Sequence, residues 1–201
     1  MSTGGKLKTY RSRRDFRRSP EPSGKGGRKV ASRSIFVVQK HDASHLHYDF
    51  RLEVDGVLKS WAIPKGPSLD PRVRRLAVAT EDHPLDYADF EGVIPEDQYG
   101  GGTVLVWDAG TYKNRSVDGD GKPLSPERAL EAGKLSFELW GKKLRGGWTL
   151  VRMEGRGRDN WLLIKEKDEH ADARRRPLST QPASVLSRRT IAEVAKEDGD
   201  D

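Results

Sequence analysis

The 201-residue chain contains no cysteine. That absence removes disulfide scaffolds, thiolate metal centres and cysteine nucleophiles together. No apolar run approaches the roughly 20 residues a membrane-spanning helix needs, and the opening MSTGGKLKTYRSRRDFRR has no apolar stretch of the kind a secretory signal carries. Hydrophobic residues are only 34% of the chain and charged residues an equal 34%, so one moderate core fits and two full domains do not. Also missing are a phosphate-cradling G-x-x-x-x-G-K-S/T loop, a dinucleotide-binding fingerprint and a G-x-S-x-G nucleophile elbow. Val54-Asp-Gly56 shares the D-G of a nucleotidyl-ligase motif, but Glu53 stands where that motif needs lysine. The expectation is a soluble, cytoplasmic protein.

What is present is unevenly placed. Residues 1–34 hold eleven Lys and Arg against only Asp15 and Glu21, a balance of +9 in a chain whose total is +6. A basic arm on a near-neutral body is an electrostatic footprint for a polyanion, most often nucleic acid, or else a solvated tail with no partner. Residues 1–33 have no hydrophobic period and read as a basic, largely extended arm.

From Ser34 the texture changes. Ile35–Gln39 is β-branched and aromatic. Leu46–Val54 alternates strictly, with Leu46, Tyr48, Phe50, Leu52 and Val54 on one side and His47, Asp49, Arg51 and Glu53 on the other. Asp55-Gly56 predicts a two-residue hairpin, with Val57–Ile63 as the return strand. Further short strands are expected at Arg75–Thr80, Thr103–Asp108, Leu135–Trp140, Trp148–Met153 and Trp161–Glu166. Short helices are expected at Pro126–Ala132 and Val185–Lys196. The prediction is a mainly β fold, a small antiparallel β-barrel over 34–167, followed by a polar tail over 168–201.

Three of the five histidines fall within Lys40-His-Asp-Ala-Ser-His-Leu-His-Tyr-Asp-Phe-Arg51. Alternation puts His47, Asp49 and Arg51 on one strand face, successive Cα atoms ~6.6 Å apart. His41 sits just before that strand. Two imidazoles and one carboxylate suit a borderline divalent ion such as Mn²⁺, Fe²⁺ or Zn²⁺, and Arg51 would add a fixed cation for an anionic substrate. Lys65 in Ile63-Pro-Lys-Gly-Pro67 and Arg75 at a strand start could hold phosphate; His83 could serve as a general acid and Tyr87 as a hydroxyl donor. Plain alternatives stand beside these: surface charges, a loop histidine, a solvated strand face.

Four strings carry a resemblance: Phe36-Val-Val-Gln-Lys-His-Asp-Ala-Ser-His-Leu-His-Tyr-Asp-Phe-Arg-Leu52, Leu58-Lys-Ser-Trp-Ala-Ile-Pro-Lys-Gly-Pro67, Glu81-Asp-His-Pro-Leu-Asp-Tyr-Ala-Asp-Phe-Glu-Gly92 and Ile94-Pro-Glu-Asp-Gln-Tyr-Gly100. With Arg14-Asp-Phe and Pro20-Glu-Pro-Ser23 of the arm, they resemble the 3′-phosphoesterase module of bacterial DNA ligase D. The resemblance implies a small β-barrel with a polar crater and a divalent metal, Mn²⁺ or alternatively Co²⁺ or Zn²⁺, held by His41, His47 and Asp49. It implies a catalytic set of His83, Arg51 and Tyr87. Lys65, Arg75, Arg14, Asp15 and Glu21 would bind the substrate or its phosphate, the last three from the arm. His45 receives no role.

The implied activity removes 3′-terminal ribonucleosides and 3′-phosphates from DNA primer strands during non-homologous end joining, leaving a 3′-hydroxyl. The expected setting is a nucleoid-associated monomer, with a DNA ligase and end-binding proteins acting in trans and no membrane. Residues 177–189 resemble the linker between this module and the ligase. Two rival readings are a non-catalytic DNA-end-binding module and a small-molecule phosphatase; the second leaves the arm's charge unused.

Overall fold

The structure, a computed structural model, describes residues 3–25, 34–155 and 159–199. Among the described residues, nine strands form one sheet: β1 (Ile35–Asp42), β2 (Leu46–Val54), β3 (Val57–Ile63), β4 (Arg74–Ala79), β5 (Gly92–Ile94), β6 (Gly102–Asn114), β7 (Lys134–Gly141), β8 (Arg145–Arg152) and β9 (Asn160–Lys165). The order β1-β2-β3-β4-β9-β8-β7-β6, with β6 also pairing β1, closes an eight-stranded antiparallel barrel. The ninth strand, β5, lies on β6.

Every strand expected from the pattern is present. Asp55 and Gly56 both adopt positive φ, 48° and 77°, the backbone of the tight hairpin that D-G favours. Two features escaped the pattern. The three residues of β5 are too short to show a period. β6 runs on to Asn114 because it serves two neighbours: Thr103–Thr111 pairs β1 across a bulge at Val38/Gln39, while Gly110–Asn114 pairs β7.

The barrel interior is filled by alternate residues of each strand, including Phe36, Phe50, Leu52, Trp61, Trp107, Phe137 and Trp148. The opposite face of β1–β3 and β6 is not solvated, as a simple amphipathic strand would be. A second apolar layer of Tyr10, Val37, Leu58, Leu85, Tyr87, Phe90, Val104 and Val106 forms there. It is roofed by the arm and by a 3₁₀ turn at Leu85–Asp89. Asp49, Arg51 and Glu53 are consequently buried, and Leu46, expected on the apolar side, is exposed.

The terminal segments also differ from expectation. The described part of the arm is not extended: it forms α1 (Thr3–Lys6) and α2 (Lys8–Ser12), then turns. Leu7 and Tyr10 give it an apolar underside, both buried on the barrel wall. Residues 26–33 of the arm lie outside the described residues. Of the eight cations among its described residues, five are paired within the chain: Lys6 with Asp55, Arg13 with Glu81, Arg14 with Glu21 and Glu81, Arg17 with Asp15, Arg18 with Asp97.

Elsewhere α3 (Pro126–Glu131) is the short helix expected there, capped by Ser125, and a single turn, α4, spans Pro177–Thr180. The last helix, α5 (Ile191–Asp198), begins six residues later than the pattern predicts. Arg188 takes a positive φ of 66°, and Thr190 with Glu193 builds a capping box that starts the helix at Ile191. The segment before it straps the barrel, with the Trp107 indole and the Lys143 ammonium donating to the Gln181 carbonyl and Val185 N–H donating to Val106. No helix among the described residues is long and apolar enough to cross a membrane.

Candidate active site

A cleft of about 250 Å³ opens on the outer barrel wall, between the polar face of β1–β3, the arm and the loops around Glu81 and Tyr99. Antiparallel register builds its floor. His41 pairs with His47, Gln39 with Asp49, and Asp49 with Ala62. One ligand atom from each of His41, His47 and Asp49 lies within 4.8 Å of the others. His41 Nδ1 is 3.5 Å and His47 Nε2 3.7 Å from the Asp49 carboxylate. His47 Nδ1 faces the His45 carbonyl at 2.9 Å. A carbonyl can only accept, so the proton sits on Nδ1 and the Nε2 lone pair turns toward Asp49. Orientation of a ligand imidazole by a backbone carbonyl is the usual support of a metal site. His45, given no role from sequence, supplies that carbonyl. His41 Nε2 is buried without a hydrogen-bond partner, as expected of a ring set aside for a ligand. These three residues fit a divalent cation.

Beside them sits a buried charge network. Burial alone would raise the Asp49 carboxyl, but the Arg51 guanidinium and the two imidazoles outweigh it and hold the group well below the usual carboxylate range. Arg51 donates to Gln39 Oε1 at 2.8 Å and Asp49 Oδ2 at 3.2 Å, and its third arm lies 3.0 Å from His83 Nδ1. Arg14 reaches in from the arm, with Nη2 3.3 Å from His83 Nε2. Burial, then Arg51 and Arg14, push His83 well below its ordinary value. His83 is therefore a neutral imidazole in the free protein. Its Nδ1 lies 2.9 Å from the Glu81 carbonyl, which can only accept, and 3.0 Å from Arg51, which can only donate, while Nε2 faces only the Arg14 donor.

The structure brings Arg14, Glu21, His41, His47, Asp49, Arg51, His83 and Tyr87 to this one cleft. Two of them have tasks other than phosphate contact. Glu21 accepts from Arg14 Nε at 2.8 Å, Tyr87 Oη at 2.9 Å and Ser19 Oγ at 2.9 Å, so it fastens the arm and aims Arg14. Tyr87 spends its hydroxyl proton on Glu21, and burial beside that carboxylate raises its phenol well above the ordinary value. Three residues are elsewhere. Asp15 accepts the backbone N–H of Arg17 and shapes a turn of the arm. Lys65 is exposed in the turn after β3. Arg75 lies on the other face of β4 and lines a separate cleft with Arg175 and Arg176.

Sequence reading missed four contributors. Gln39 holds Arg51 while donating to the Tyr87 and Phe90 carbonyls. Glu81 receives Arg13 and Arg14. Tyr10 packs its ring 5.0 Å from His83 and 3.9 Å from the Arg14 guanidinium. Tyr99 stands at the rim. Only the period-two placement of Gln39, two residues before His41, was a usable signal.

The sequence profile described as the DNA Ligase D 3′-phosphoesterase domain matches residues 39–152, more than half the chain and the stretch that supplies His41, His47, Asp49, Arg51 and His83. The chain belongs to the DNA ligase D 3′-phosphoesterase domain family. It is 53% identical over 196 residues to the multifunctional non-homologous end joining protein LigD of Pseudomonas aeruginosa, covering 95% of this chain and 22% of that protein. It is 40% identical over 164 residues to the multifunctional non-homologous end joining DNA repair protein LigD of Mycobacterium tuberculosis, covering 82% and 20%. The LigD protein of Mycolicibacterium smegmatis is 41% identical over 164 residues. The chain thus spans about a fifth of the length of these relatives. The family's phosphoesterase description agrees with the cleft, where cations and a metal-competent triad share one small volume.

Proposed function

We propose that this chain is a metal-dependent phosphoesterase that heals DNA 3′ ends for non-homologous end joining. It would remove a 3′-terminal ribonucleoside and then the 3′-phosphate left behind. The observation that carries this reading is the convergence of His41, His47 and Asp49 with Arg14, Arg51 and His83 in one cleft. The cleft's charge balance supports it. Three carboxylates, Glu21, Asp49 and Glu81, are matched by three guanidiniums, Arg13, Arg14 and Arg51. A bound divalent cation would give the cleft the surplus positive charge that an anionic substrate needs.

His41, His47 and Asp49 would hold the ion, with Mn²⁺ the first choice and Co²⁺ or Zn²⁺ as substitutes. When bound, it supplies Lewis-acid stabilisation of charge on the phosphoryl oxygens. Arg51 and Arg14 donate to non-bridging oxygens, preorganised by Gln39 and Glu21 so that little reorganisation is needed as charge grows. His83 lies between them. An arriving phosphate supplies the negative charge the free site lacks, which lets the ring take a proton at Nε2 and deliver it to the leaving oxygen. Buried donors on both sides suit a phosphate as diester or monoester, so one pocket serves both steps.

DNA ends, a ligase in trans, a monomeric state and a cytoplasmic, nucleoid-associated setting belong to the same reading. The test is a primer-template ending in one ribonucleotide, incubated with Mn²⁺ and with a chelator. The expected time course shows a shortened strand ending in 3′-phosphate first and a 3′-hydroxyl strand second. Turnover that survives thorough chelation overturns the metal, and no turnover with Mn²⁺ reduces the chain to an end-binding module.

A further inference from the structure

Thirteen of the fifteen aromatic side chains are wholly or largely covered; Tyr99 and Trp140 are the exposed ones, and of these Tyr99 alone lines the cleft. Tyr99 is 48% exposed and stands at the mouth of the cleft that holds the buried charge network. Its position is not that of a loose loop residue. Gln98 N–H donates to the Pro95 carbonyl and Gly101 N–H to the Gln98 carbonyl. A side chain at Gly101 would meet the Pro95 carbonyl at 2.7 Å, so the loop is pressed against its own base. On the other side, Arg13 donates to Tyr99 Oη at 2.7 Å, and the Arg13 and Arg14 guanidiniums lie 4.8 Å and 5.5 Å from the ring centre. Glu81 holds both arginines. The ring is thus fixed at its edge while half its surface stays open.

A half-exposed aromatic ring backed by guanidinium planes is what a nucleobase stacks on, and such stacking tolerates any base because every base has a π-face. Phosphate needs none of this. We propose that Tyr99 is the platform for the nucleobase beside the reacting phosphate, making it a specificity residue that distinguishes a nucleic-acid end from a small phosphate ester. The proposal rests on reading the cleft as a DNA 3′-end site and names which part of the substrate it grips.

The base could belong to the terminal nucleoside or to the one upstream of the phosphate. The test uses primer-templates abasic at either position, against base-bearing controls, with the wild type, Tyr99→Phe and Tyr99→Ala. The wild type should prefer the base-bearing end by about tenfold in kcat/KM at one of the two positions. Tyr99→Phe should keep that preference and Tyr99→Ala should lose it; the position affected identifies the base. A fluorescent adenine analogue placed at that position, titrated in the presence of chelator, should be quenched by the wild type and Tyr99→Phe and not by Tyr99→Ala. If Tyr99→Phe loses the preference as Tyr99→Ala does, the hydroxyl's grip on Arg13 is what matters and the proposal fails. Equal turnover of abasic and base-bearing ends by the wild type also overturns it. If no end is turned over at all, the reading of the cleft as an active site fails, and the quenching alone decides whether Tyr99 stacks a base.

Discussion

The two faces of β2 are both buried, and they are buried by different means. Phe50 and Leu52 point into the barrel, where any well-packed apolar residue of similar volume would serve. Asp49 and Arg51 point outward under the arm, where burial is tolerable only because each charge is partnered: Asp49 pairs with Arg51, and Arg51 also donates to the Gln39 amide oxygen. A buried ion pair contributes little net stability against its desolvation. The outer face is therefore maintained at a stability cost that the inner face does not carry. That is the expected signature of a working site beside a structural core.

Neighbouring substitutions test this contrast most strongly. Asp49→Asn should lower turnover about a thousandfold or more, since it removes the carboxylate of the proposed metal site, and should abolish stabilisation by Mn²⁺ in thermal melts, while circular dichroism stays native. Phe50→Ala should cost about 3–5 kcal/mol in urea unfolding. If Asp49→Asn unfolds the chain as thoroughly as Phe50→Ala, the two faces do not differ in kind.

Smaller effects sharpen the comparison. Glu21→Gln removes the charge that aims Arg14 and accepts from Tyr87, and a loss of roughly 10- to 100-fold in turnover is expected, as for other supporting residues. Residues 3–25 should also become sensitive to limited proteolysis. An unchanged digestion pattern would show that Glu21 does not fasten the arm.

A pH effect follows from His83. Its native pKa lies well below its ordinary value while the unfolded chain titrates near 6.5. Below about pH 6.5 the unfolded state binds a proton that the native state refuses, so stability falls as pH drops through that point. Urea midpoints at neutral pH and near pH 5.5 measure this, and His83→Asn should reduce the slope. The smallest effect belongs to Leu186. Although apolar, it is 48% exposed, and Leu186→Ala should shift stability by no more than about 0.5 kcal/mol.

The amino-acid order by itself determined the barrel strands, the Asp55–Gly56 hairpin and the gathering of His41, His47, Asp49 and Arg51 at one strand edge. These are local properties: period-two alternation and the positive-φ preference of a D-G turn act over a few residues. Tertiary structure decided the rest. It folded a basic arm, which carries no period, onto the barrel through Tyr10 and Glu21. It converted a polar strand face into a buried one, joined Gln39, Glu81 and Tyr99 to the site, and sent Lys65 and Arg75 elsewhere. Each of those outcomes depends on which distant segment covers which face, and contacts between residues tens of positions apart leave no periodic trace in the chain.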